Sequence, residues 1–122
     1  MNDYPERGRL PCGGEIWKVH RPRLPNCGYA HYAIICGMDR TKVYLNFMAT
    51  DGNPERDDDL LIDSRDPEFV TTGLDHSTHI LRNHYYAIEL SKFKADFCAK
   101  LKKGALQTKI LDWTGWDESE WL

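Results

Sequence analysis

The residues of this 122-residue chain best suited to chemistry are His31 and Thr50, with Lys18, His20, Arg21 and Arg23 gathered just upstream. Histidine titrates near neutrality and serves as base or acid, so a histidine at the mouth of an apolar strand is a candidate proton-transfer group. The alternative is a satisfied polar residue capping a core strand. The stretch His20-Arg21-Pro22-Arg23-Leu24-Pro25-Asn26-Cys27-Gly28 carries two prolines and a glycine, which forbid a helix or a central strand. With Lys18 it holds the densest positive charge in the chain. It reads either as an anion-facing flap beside the next strand or as solubilising charge on an exposed loop.

The elements that position these groups follow from pattern. Ala30 to Gly37 is apolar almost throughout, as expected of a strand buried on both faces. Lys42 to Thr50 alternates, with Val43, Leu45, Phe47 and Ala49 on one face. Gly37 to Thr41 has the chemistry of a hairpin turn, so His31 and Thr50 end a strand pair at the middle of a small sheet. Gly14 to Val19 reads as a first strand, and Leu60-Leu61-Ile62 as a short one. Ser77–Arg82 and Tyr85–Leu90 read as two β-prone runs around an Asn83-His84 turn. Ser91 is a suitable N-cap, and Phe93, Phe97 and Leu101 recur at helical spacing, predicting an amphipathic helix that ends at Gly104. The expected architecture is mostly β, a twisted antiparallel barrel with one C-terminal helix. Residues 1–13 are expected to form a flexible arm, 14–104 the barrel and 105–122 an acidic, Trp-rich tail. That tail either docks on a basic patch or is a partly ordered terminus.

The length fits one domain, and 41% apolar with 29% charged residues is ordinary for a globular protein. A net charge of −3 argues against a whole-surface nucleic-acid binder but leaves room for a local basic patch. Cys12, Cys27, Cys36 and Cys98 form no CxxC pair. With no signal peptide and no long apolar run, a cytoplasmic protein away from the membrane is expected. His76 and His79 are an odd number of residues apart, and Asp57-Asp58-Asp59 point alternately to opposite sides, so neither set converges on an ion. No metal and no cofactor are expected.

Four short motifs in order carry a family resemblance. Gly14-Glu15-Ile16-Trp17 resembles the Gly-Asp/Glu-Ile-Trp opening of the PemK/MazF-like toxins of toxin–antitoxin systems. Ala33-Ile34-Ile35 falls where that family has its Arg-Pro-Val-Val-Val strand, and Phe47-Met48-Ala49-Thr50 where it has an apolar strand closing on a threonine. Ser77-Thr78-His79-Ile80, with Ala87-Ile88 and Ser91-Lys92-Phe93, is similar to its late Ser-x-Val, strand and helix. The resemblance spans residues 14–104 and implies an SH3-like (CcdB-type) barrel. It also implies a metal-independent endoribonuclease acting on single-stranded RNA, a homodimer, and an acidic antitoxin peptide as partner. The family's catalytic arginine and threonine correspond to His31 and Thr50, and Lys18, His20, Arg21, Arg23 and Ser77 are the substrate-binding candidates. Histidine for arginine keeps acid–base chemistry but removes a permanent phosphate clamp, which Arg21 or Arg23 would have to supply.

Two other readings remain open. His31-Tyr32-Ala33-Ile34 also resembles the His-Trp-Ala-Ile strand of permuted papain-like enzymes of the lecithin:retinol acyltransferase type, with Cys98 as nucleophile. The third is a non-catalytic SH3-like module that binds an acidic peptide or nucleic acid.

Overall fold

The computed structural model describes residues 10–20, 31–50 and 58–121. Among them are six strands, β1 (Glu15–Val19), β2 (His31–Met38), β3 (Lys42–Ala49), β4 (Leu60–Ile62), β5 (Thr78–Glu89) and β6 (Ala95–Lys100), and one α-helix, α1 (Ala105–Thr114). The strands lie in the order β4-β5-β3-β2-β1-β6, every neighbouring pair antiparallel, in a sheet curled into a half-barrel. The expected mostly-β barrel with one C-terminal helix is the architecture observed.

The β2–β3 hairpin is central, as its apolar pattern requires. Asp39 makes its turn: one carboxylate oxygen accepts the Thr41 and Lys42 amides, and the other accepts the Tyr44 hydroxyl at 2.6 Å. Both faces of the sheet are covered. One packs Trp17, Val19, Ala33, Ile35, Val43, Leu45 and Phe47 with Phe93 and Ala95 inside the curl. The other packs Ile16, Ile34, Met48, Ile62 and Ile80 under α1, through Leu106, Ile110 and Leu111. Each fully buried side chain of this size contributes about 1.5–3 kcal/mol.

The helix is displaced from its expected position. Residues 95–100 form β6, paired with β1, and the helix begins where the tail was expected. Phe93, Phe97 and Leu101 do not make one stripe: Phe93 is buried inside the curl, Phe97 is exposed and edge-on to Trp17, and Leu101 belongs to the opposite core. Gly104 begins α1 instead of ending a helix. The Glu68 carboxylate accepts the Leu106 amide, a negative charge where the first-turn N–H groups lack partners.

The expected Asn83-His84 turn is also absent. β5 runs unbroken from Thr78 to Glu89 and absorbs these residues as a bulge. Between the Asn46–Tyr85 and Met48–Ile80 pairs the register shifts, so β5 carries extra residues opposite Phe47.

Beyond α1 the chain returns to the body. Trp121 is 2% exposed and donates its indole N–H to the Cys36 carbonyl at 2.8 Å. No helix among the described residues is long and apolar enough to cross a membrane.

Candidate functional site

The start of β2 and the end of β3 open into a cleft of about 250 Å³. Lys18, His31, Tyr32, Thr50, Asp75 and Thr78 line it over a floor that includes Met48 and Leu74. Strand alternation explains this. Lys18 and Tyr32 share the face of Ile16 and Ile34, and Thr50 continues the row of Met48. Extending the Met48–Ile80 and Ala49–His79 pairs by one step brings Thr50 level with Thr78. His31 belongs to the other row of β2, with Ala33 and Ile35, and contributes from the open end of the strand.

The His31 ring is oriented through Nδ1. Its Nδ1 lies 2.9 Å from the Met48 carbonyl oxygen. A carbonyl only accepts, so Nδ1 carries the proton, and in the neutral ring the lone pair falls on Nε2. This tautomer suits a base that receives its proton at Nε2.

The surrounding charges are mixed. The Lys18 ammonium stands 5.9 Å from the Tyr32 ring centroid, within cation–π range. Burial, and then the nearby Cys98 and Asp75, push the Tyr32 hydroxyl up, so it is a neutral donor at physiological pH. Asp75 is exposed on the rim, where its carboxylate opposes a bound anion and Lys18 offsets it.

Of the substrate-binding candidates, Lys18 lines this cleft and two others are engaged elsewhere. His20 Nε2 lies 2.9 Å from an Asp96 carboxylate oxygen, beside the β1–β6 pair. Ser77 accepts the Ser64 amide at 2.8 Å. Arg21 and Arg23 lie outside the described residues, as does Cys27. Sequence reasoning did not single out Tyr32, Asp75 and Thr78. Tyr32 was discoverable by parity with Lys18 across the β1–β2 pair, whereas Asp75 sits in an aperiodic connection that carries no such signal.

Cys98 has the wrong setting for a nucleophile. It lies in β6 rather than at a helix N-terminus, and its sulfur is 3.8 Å from the Thr72 and Gly73 carbonyls. Burial first, then Asp75, push its thiol up, with Lys18 pulling weakly the other way. It is a protonated thiol at neutral pH, the opposite of an activated cysteine. The papain-like reading loses its nucleophile.

No protein-family model matches the chain, and no curated protein matches it. The functional reading therefore rests on the geometry of the cleft and on the motif order.

Proposed function

We propose that this chain is a PemK/MazF-like toxin that cleaves single-stranded RNA without a metal, in the cytoplasm, as a homodimer neutralised by an acidic antitoxin peptide. The observation that supports it most is the meeting in one cleft of Lys18 from β1, His31 from β2 and Thr50 from just after β3. His31 Nε2 takes the proton of a ribose 2′-hydroxyl. The freed oxygen attacks the adjacent phosphorus, and the bond from phosphorus to the 5′-oxygen breaks. The products are a 2′,3′-cyclic phosphate and a 5′-hydroxyl, the latter taking up a proton from the imidazolium or from the neutral Tyr32 hydroxyl. Lys18 and the Thr50 hydroxyl meet the phosphoryl oxygens, where the added charge develops.

The bond from His31 to Met48 favours a second reading, because a purely structural histidine makes the same contact. In that case the barrel is a binding module. Incubation with a long single-stranded RNA in EDTA separates the two. Cyclic-phosphate ends that disappear in His31→Ala and Thr50→Ala support the nuclease; binding without cleavage supports the module.

A further inference from the structure

A second cleft, of about 360 Å³, opens over the middle of β3 and is lined by Asn46, Arg82, Tyr85, Thr114 and Trp116. Its volume lies within the range of small-molecule sites. Asn46 on β3 and Thr50 just beyond its end are four residues apart, roughly 13 Å along an extended chain, so the two clefts are separate places on one molecule. We infer that this second cleft is a nucleotide site, which takes one unpaired nucleobase against its aromatic mouth and the attached phosphate on Arg82.

Three observations carry the inference. First, the mouth is aromatic and exposed. Tyr85 is 45% exposed and lines the cleft beside Trp116. Tyr44 backs both rings, with centroids 6.4 Å from Tyr85 and 5.5 Å from Trp116, so the platform is already assembled. Flat rings held in this way stack nucleobases regardless of sequence.

Second, the guanidinium of Arg82 lies 3.8 Å from the centroid of the Trp113 ring. Trp113 is itself fixed, its indole N–H donating to the Asp58 carbonyl at 2.6 Å. Stacking occupies the face of a guanidinium and leaves its N–H donors around the edge. Arg82 makes no ion pair with a carboxylate among the described residues, so those donors suit a phosphate.

Third, Asn46 is 4% exposed yet lines the cleft. Its carbonyl oxygen accepts the Cys36 thiol at 3.1 Å, and its amide nitrogen donates to the Leu81 carbonyl at 3.0 Å. These bonds fix which end is nitrogen and use only one of its two hydrogens. The second is a buried donor with no partner among the described residues, which calls for an acceptor such as a base carbonyl or ring nitrogen.

The test is an NMR titration of the full chain, following the tryptophan indole and asparagine side-chain amide signals. The probes are the four 5′-ribonucleotides, the matching nucleosides and a six-residue single-stranded DNA, which has no 2′-hydroxyl to act as nucleophile. Saturable shifts at Trp113, Trp116 and Asn46 are expected, with nucleosides weaker than nucleotides. Tyr85→Leu and Arg82→Gln alter exposed side chains and should each weaken binding roughly tenfold, while Val70→Ser, at an exposed residue that lines neither cleft, leaves it unchanged. Saturation by single nucleotides identifies a free-nucleotide site; saturation only by the oligonucleotide identifies a residue of a chain. The inference is overturned if no probe gives saturable shifts at Trp113, Trp116 and Asn46, or if Tyr85→Leu and Arg82→Gln bind like the wild type. None of these outcomes depends on whether the His31 cleft cleaves RNA.

Discussion

Trp121 donates its indole N–H to the carbonyl of Cys36, 85 residues earlier, and so fastens the end of the chain to the central strand. Gly14 makes room for it. A Cβ at that glycine would lie 2.8 Å from a ring carbon of Trp121, and its φ of +86° is one that side chains other than glycine rarely adopt. The segment after α1 is therefore part of the fold. Trp121→Ala should cost about 3–5 kcal/mol in equilibrium urea unfolding, the range for loss of a buried Trp. Gly14→Ala should destabilise through both strain and overlap, and a change of less than about 0.5 kcal/mol would refute the contact.

The thiols offer a second check. Burial pushes Cys36 up to about 12, with a hydrogen bond to the Asn46 backbone pulling the other way, and Cys98 is raised by burial and Asp75. Because the thiolate is the reactive form, iodoacetamide at pH 7.5 should label both more slowly than it labels free glutathione. Urea should restore ordinary rates. Peptide mass spectrometry over time measures this, and rapid native labelling of Cys98 would revive a cysteine mechanism.

What the sequence disclosed follows from how local each signal is. The β2–β3 hairpin was legible because its apolar run and its alternating run each fit only one period, and Asp39 supplies the turn. β6 was not, because Phe93, Phe97 and Leu101 have helical spacing while the chain sends them to three different environments. α1 was hidden by the acids and tryptophans around Leu106, Ile110 and Leu111, and by Gly104, which reads equally well as a start or a stop. In the cleft, His31 was nominated by its titrating side chain at a strand end, and Thr50 by the family resemblance that pairs it with His31. Asp75 could not be, since only the folded chain brings it beside Tyr32.

Acid stability should report the Asp63–Arg65 pair. Two hydrogen bonds from the Arg65 guanidinium, helped by the Arg65 amide, lower the Asp63 carboxyl to about 2. A carboxylate whose folded pKa lies below its unfolded value of about 3.9 gives stability that is present above that value. The contribution is lost as pH falls towards 2. Asp39 and Asp117 are lowered as well, so the wild type should lose stability through this window. Asp63→Asn should show a shallower decline between pH 4 and 2 in urea unfolding, and a constant offset from wild type above pH 5. Parallel curves across the whole range would show that the pair does not form in solution.

The two roles open to His31 can be separated because Asn mimics only one of its nitrogens. The amide nitrogen of Asn occupies nearly the position of Nδ1, so His31→Asn keeps a donor for the Met48 carbonyl and removes Nε2. His31→Ala removes both. If the ring is only a strand cap, His31→Asn should match the wild type in stability and in every RNA assay, and His31→Ala should lose about 1 kcal/mol, the usual worth of one such bond. If Nε2 takes the 2′-hydroxyl proton, His31→Asn should be equally stable yet cleave RNA roughly a hundredfold more slowly or worse, the usual loss on removing a general base. Urea unfolding paired with single-turnover cleavage measures both quantities on the same samples. A stable His31→Asn protein that cleaves at the wild-type rate would remove His31 from the chemistry.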